Sequence, residues 1–377
     1  MKIHEPLALL GGLTPAMFMR NHWQKKPLLI RQAIKGFVPP VGRSDLVSLA
    51  ASGEVESRLV VQAGAVDGSG WKLRHGPFER RALPPFKRPG WTLLVQGVDL
   101  LDERVHALRR QFDFIPSARL DDVMVSYATD QGGVGPHFDS YDVFLLQAQG
   151  QRRWRIGRQE NLRLLPNMPL KILSDFQPEQ EMVLDPGDLL YLPPLYAHDG
   201  VAVGECMTYS VGFRSPSRCD LASELLHRIA EAHAPAGSDV LYQDPRQAAT
   251  TRPGEIPEKV SKFASDAVLR ALRDPSAAAR ALGEYLTEPK ATVLFAASSG
   301  MATKGVLRLS RCSRMLYDSA HVFINGESFL AAGRDALLMR ELADRGVLAA
   351  DSVQRLSHGA KALVADWIDA GWLYVES

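Results

Sequence analysis

The stretch "GPHFDSYDVFLLQAQGQRRWRIG", residues 135 to 157, decides how this chain is read. Its alternation predicts two β-strands joined by a short turn at Gly150. Three residues are out of place in a purely structural strand. His137 and Asp139 sit two apart, so on a strand their side chains share a face, within reach of one ion. Arg152 falls in register with Trp154 and Ile156 on the face that points inward, while Arg153 and Arg155 take the other.

Downstream, "LDPGDLLYLPPLYAHDG" (184 to 200) brings a second histidine, His198, after a Pro-Gly-Asp turn and an apolar strand. Two histidines and one carboxylate on one side of a metal form the donor set of non-haem Fe(II) oxygenases, which leaves coordination positions open. A lone His-x-Asp arises by chance. The same pair followed by a histidine behind "PGD-apolar-PP" is far more specific. The other eight histidines read as surface or satisfied core groups. Arg152 bears on the cosubstrate. A buried guanidinium needs a carboxylate, because leaving it unpaired costs several kcal/mol. A core Asp would make it a structural ion pair; with none nearby, a ligand can supply the charge. 2-Oxoglutarate would chelate the metal at one end and offer its distal carboxylate to the arginine bidentately.

Residues 1 to about 214 are rich in short apolar runs bounded by Gly and Pro, such as "WTLLVQGV", "DDVMVSYA" and "CMTYSVGF". Close-spaced short strands predict a barrel or sandwich rather than a parallel α/β sheet. Past Ser215 the period changes. Leu221, Leu225 and Ile229 form one helical stripe, and Ile256, Val260, Phe263 and Ala267 a second, with a Pro- and Gly-punctuated connection at 234 to 254. Two such helices close no core alone, so they must pack on the barrel or on a second copy. The last ninety or so residues read as a small α+β unit of winged-helix type, with an Asn325-Gly326 hairpin turn. Pro289 to Ser377 carries ten Lys+Arg against nine Asp+Glu, whereas a DNA-binding module normally shows a clear basic excess.

With 377 residues, 46% hydrophobic, 23% charged and a formal net charge of +1, the chain reads as a soluble globular protein of two or three domains. Nothing in the bulk charge calls for nucleic acid or a membrane. No apolar run approaches the ~20 residues of a membrane span, and the N-terminus does not read as a signal peptide. Three cysteines (Cys206, Cys219, Cys312) with no CxxC exclude a disulfide framework and a thiolate zinc site. The expected compartment is the cytoplasm.

The segments "GPHFDSYDVF", "RRWRIG", "PGDLLYLPP" and "YSVGFRSP" resemble a JmjC-type cupin. "HWQKKPLLIRQA", "RLDDVMVSYA" and "YQDP…PGEI" extend the likeness over essentially the whole chain, most closely to the bacterial ribosomal oxygenases. These are Fe(II)- and 2-oxoglutarate-dependent hydroxylases of an arginine in large-subunit ribosomal protein L-sixteen. The resemblance implies a double-stranded β-helix over 1–214, a helical dimerisation section over 215–287 and a winged helix over 288–377. It implies a metal triad of His137, Asp139 and His198, with Arg152 on 2-oxoglutarate and Ser126 as a minor contact. Fe(II), 2-oxoglutarate and O2 are the expected cofactors, a ribosomal protein the substrate and a homodimer the assembly, with no direct DNA or membrane contact. Two positions depart from the family. Leu195 stands where a Gly is usual before the last histidine, and Thr208 stands at the cosubstrate position where an Asn is usual. A cationic substrate needs an acid at the mouth; Asp130 is the candidate, with Asp142 and Asp199 as alternatives. Rival readings are a Zn or Mn cupin isomerase, which needs no inward arginine, and a ligand-sensing barrel on a winged-helix regulator. Demethylation of lysine or arginine begins with the same C–H hydroxylation.

Overall fold

The computed structural model describes residues 2–62, 70–232, 240–296 and 305–376; the start of the predicted connection, 234 to 239, lies outside them. The chain forms two compact units, Met1–Pro216 with Lys290–Leu294, and Ser217–Pro289 with Phe295–Ser377.

The described residues of the first unit form nine strands: β1 (Leu28–Ile30), β2 (Ser57–Gln62), β3 (Trp71–His75), β4 (Trp91–Val95), β5 (Leu120–Ala128), β6 (Asp142–Gly157), β7 (Gln180–Leu184), β8 (Leu189–Leu192) and β9 (Ala197–Phe213). They pair in the order β1-β8-β6-β9-β5-β4-β2-β3, with β7 added to β6, and every pairing is antiparallel. Short α-helices accompany them: α1 (Pro15–Asn21), α2 (Arg43–Ala51), α3 (Val98–Leu101) and α4 (Glu103–Arg109). Two-residue alternation sorts the side chains. Val123, Val125 and Tyr127 of β5 and Met207, Tyr209 and Val211 of β9 join Phe18, Leu46, Val98 and Val105 of the helices in one core. The intervening residues, Ser126, Ala128, Ala202, Cys206 and Thr208, fall on the opposite face.

Strand β6 departs from the sequence reading. No hairpin forms at Gly150; β6 runs unbroken for 16 residues and stays paired with β9 along its length. Register shifts at Gln147/Gln149 and Gln149/Gln151 bend it instead. Gly150 takes φ 60°, and a Cβ there would run into the Glu205 carbonyl, so the crossing backbone of β9 needs a glycine. The irregularity also flips the facing. Val143 and Leu145 before it share a second core with Trp154 and Ile156 after it, although odd numbers become even. Arg152 therefore faces the same side as Val143.

The second unit opens with three helices, α5 (Arg218–Ala232), α6 (Glu258–Ala271) and α7 (Ala277–Thr287). Ile229 of α5 packs with Ala277 and Ala281 of α7, using the predicted Leu225–Ile229 stripe. Helix α6 buries no residue. The remainder comprises β10 (Val306–Leu309), β11 (Met315–Tyr317), β12 (His321–Ile324), β13 (Glu327–Leu330), α8 (Gly333–Arg345), β14 (Val347–Leu348), α9 (Ala350–Gln354), α10 (His358–Asp369) and β15 (Leu373–Glu376). Leu307, Leu338, Leu342, Leu348, Val364 and Trp367 close its core. Asn325 (φ 49°) and Gly326 (φ 89°) join β12 to β13 as the predicted two-residue turn. Gly283 of α7 lies against the Phe323 ring of β12, so closely that a Cβ would collide with it. No described helix is long and apolar enough to cross a membrane.

Candidate metal centre

His137 and Asp139 lie just before β6 rather than on a regular strand, a correction to the sequence reading. Their backbone is pinned by a single bridge: His137 N–H donates to the His198 carbonyl (2.9 Å) and His198 N–H returns the bond (2.8 Å). The Asp139 carbonyl accepts from Leu195 N–H at 2.7 Å. Residue 195 sits at φ 62°, a conformation that costs a residue with a Cβ about 1–2 kcal/mol. This is the physical content of the missing glycine.

The side chains converge. His137 Nε2 lies 3.9 Å and His198 Nε2 3.6 Å from Asp139 Oδ2, and one ligand atom from each residue falls within 4.8 Å of the others. Both imidazoles are held in one tautomer. His137 Nδ1 is 2.9 Å from the Gly135 carbonyl and His198 Nδ1 is 3.0 Å from the Tyr196 carbonyl. A carbonyl only accepts, so each Nδ1 carries the hydrogen and each Nε2 presents its lone pair to the centre. Burial and the neighbouring His137 lower the His198 pKa to about 4, so His198 is neutral and ready to ligate near pH 7. Among the described residues this is the one group of three or more His, Cys, Asp or Glu side chains gathered closely enough to hold an ion.

Arg152, on the same face of the barrel wall, is 6% exposed. Its Nε donates to Cys206 Sγ at 3.5 Å, while Nη2 is buried with no hydrogen-bond partner. No carboxylate of the described residues pairs with it, so the structural ion-pair reading fails. An orphaned, desolvated guanidinium nitrogen is what an anionic ligand would satisfy. Ser126 and Thr208 are buried and directly paired across β5 and β9. Their hydroxyls face protein acceptors in this structure: Ser126 Oγ donates to the Thr208 carbonyl (3.4 Å) and Thr208 Oγ1 to Gln147 Oε1 (3.1 Å).

The three candidate acids separate cleanly. Asp142 is wholly buried, bonded to Tyr191 (2.6 Å), Gln24 and Arg119 (3.1 Å). Asp199 is 3% exposed and paired with Arg155 at 2.6 Å. Both are engaged in the wall, which removes them as mouth acids. Asp130 is exposed at the end of β5; its Oδ1 accepts from Gly204 N–H (2.8 Å) and its Oδ2 makes no hydrogen bond among the described residues. Three neighbours escaped the sequence reading. Cys206 touches Arg152. Trp154 lies 5.8 Å from the His198 ring, with a buried, unpartnered Nε1. Tyr141, close to the Asp139 carboxylate, has its phenol pKa driven up chiefly by burial. Only Trp154 left a trace, through its register with Arg152.

Comparison with known proteins places the chain. The JmjC domain family matches residues 107–221 and the ROXA-like winged helix family residues 269–374. The ribosomal protein uL16 3-hydroxylase of Escherichia coli K12 is 35% identical over 277 residues, 72% of this chain and 71% of that protein. The chain belongs to the JmjC ribosomal oxygenases. A solved member of this family, a ribosomal oxygenase from Escherichia coli in complex with cobalt and 2-oxoglutarate, superposes with TM-score 0.78 at 29% identity. The match covers 97% of this chain and 99% of that one. A probable ribosomal oxygenase of Haemophilus influenzae is 38% identical over 55% of this chain and 52% of its own length. The JmjC match spans the metal centre and Arg152, and the winged-helix match takes in α7.

Proposed function

We propose that this chain is an Fe(II)- and 2-oxoglutarate-dependent oxygenase that hydroxylates an arginine side chain of a large-subunit ribosomal protein. The observation that carries the reading is the pairing of an open His-Asp-His centre with a buried arginine whose Nη2 has no partner. His137, Asp139 and His198 would hold the metal, and Arg152 the distal carboxylate of 2-oxoglutarate. Iron with 2-oxoglutarate and O2 supplies the oxidising power for an unactivated C–H bond. The protein's part is binding, orientation and exclusion of water. The backbone carbonyls of Gly135 and Tyr196 keep both imidazoles aimed before any ion arrives, so no tautomer change accompanies loading. Buried Leu184 and Ala202, paired with Arg152 on either side, and the Trp154 ring 5.7 Å from its guanidinium lower the dielectric there and strengthen its attraction for a carboxylate. Asp130, fixed through Oδ1 to the Gly204 backbone, has Oδ2 left to accept from a substrate guanidinium.

The names of the relatives support the substrate class, since the Escherichia coli homologue is a uL16 3-hydroxylase. Purified protein with Fe(II), 2-oxoglutarate and O2 is expected to add the mass of one oxygen atom to a single arginine of the uL16 homologue from the same cell. Loss of a methyl mass from a methylated protein, with no hydroxylated product, would replace this reading by demethylation.

A further inference from the structure

Arg152 donates its Nε hydrogen to a sulfur. We propose that Cys206 is the positioning residue of the cosubstrate pocket: its thiol orients the arginine through Nε without neutralising it. This inference rests on the assignment of Arg152 to 2-oxoglutarate. The geometry is local and specific. Cys206 is 1% exposed and its Sγ lies 3.5 Å from Arg152 Nε, with Nη2 left buried and unpartnered. Around it the wall is built of small side chains. Cys206 faces Ala128 across β5 and β9, Ala202 faces Arg152 across β9 and β6, and Ala128, Ala202 and Cys206 form one fully buried cluster. The Arg152 guanidinium also lies 5.7 Å from the Trp154 ring centroid.

The choice of atom has a consequence. A thiol sulfur is a weak, uncharged acceptor. It directs one N–H while leaving the positive charge uncompensated in a low-dielectric wall, which an incoming carboxylate then neutralises. An Asp at the same place would satisfy Nε better and compete with the ligand for the charge. An Ala would leave the charge but release the side chain from its rotamer.

The test is calorimetric titration of 2-oxoglutarate into the Mn(II)-loaded full-length protein, with Mn(II) affinity measured separately, for wild type, Cys206→Ser, Cys206→Ala, Cys206→Asp and Arg152→Met. Cys206→Ser should bind within about 2-fold of wild type, since a hydroxyl keeps the acceptor. Cys206→Ala should weaken 2-oxoglutarate by about 3- to 10-fold, the range of one neutral hydrogen bond. Cys206→Asp should fall by about 30-fold or more, as Arg152→Met does. Mn(II) affinity should not move in any of them. In turnover, Cys206→Ala should raise the KM for 2-oxoglutarate and leave kcat at saturation unchanged. If Arg152→Met abolishes binding while Cys206→Ala and Cys206→Asp bind like wild type, the cysteine is mere filling and this inference is wrong. If Arg152→Met binds like wild type, the pocket assignment beneath it is wrong as well. Should circular dichroism show Cys206→Asp misfolded, the Ser and Ala pair decides: equal affinities overturn the proposal.

Discussion

Asp139 sits between two imidazoles whose tautomers are already set, and that arrangement makes its replacement informative. Asp139→Ala or His137→Ala should abolish Mn(II) binding and succinate formation with an unchanged far-ultraviolet spectrum, because the supporting bonds run through backbone atoms. Full turnover in Asp139→Ala would remove the triad. Arg152→Met should raise the KM for 2-oxoglutarate by about 30-fold or more, since losing one partner of a desolvated ion pair costs about 2–5 kcal/mol. Asp130→Asn keeps an oxygen for the Gly204 N–H and removes only the charge. It should therefore raise the KM for the ribosomal protein while sparing the KM for 2-oxoglutarate; equal effects on both would deny Asp130 a substrate role. The His-x-Asp…His spacing and the inward register of Arg152 were legible in the sequence because each residue type is costly to bury without a purpose. Which of Asp130, Asp142 and Asp199 stays exposed was not, since they differ only in what folds around them.

At the scale of elements, the loop before His198 and strand β6 carry the geometry. Leu195 holds a left-handed φ beside the metal ligands and is 52% exposed, so its side chain gives little back. Leu195→Gly should stabilise the protein by up to about 1 kcal/mol, the Cβ strain less the entropy a glycine loses on folding; calorimetric melting reads it directly. A fall in melting temperature would mean that the Leu195 side chain stabilises more than its exposure implies. Across the strand, Gly200 lies under Trp154, where a Cβ would fall 2.6 Å from the indole. Gly200→Ala should destabilise by about 1–3 kcal/mol through overpacking and displace the ring beside His198. The single continuous β6 could not be read locally. A glycine between two alternating runs marks a hairpin or a bent strand equally well, and the partner strand β9, some fifty residues on, makes the choice.

For the whole molecule the unsettled surface is α6. Its predicted stripe stays largely uncovered: Ile256 is 73% and Phe263 39% exposed, Ala267 is exposed and only Val260 is half-buried, while Val268 and Leu269 are exposed on other faces of the helix. A second copy of the chain is the simplest cover, because two-fold self-association buries one patch against itself. We expect a homodimer with this helix at its centre. Light scattering should give about twice 41.5 kDa for wild type and a monomer for the doubly charged variant Val260→Glu/Phe263→Glu. A wild-type monomer at micromolar concentration would rule the dimer out.

The sequence by itself determined the class of each segment, because strand and helix periods are local properties of side-chain alternation. It also singled out the candidate triad through its motif spacing and the inward arginine through its register with Trp154 and Ile156. It could not show that Arg152 lacks a carboxylate, that Cys206 takes its Nε, or that Gly135 and Tyr196 lend their carbonyls to the imidazoles. Those facts depend on which strands lie side by side, and pairing between residues fifty positions apart is settled only when the barrel closes.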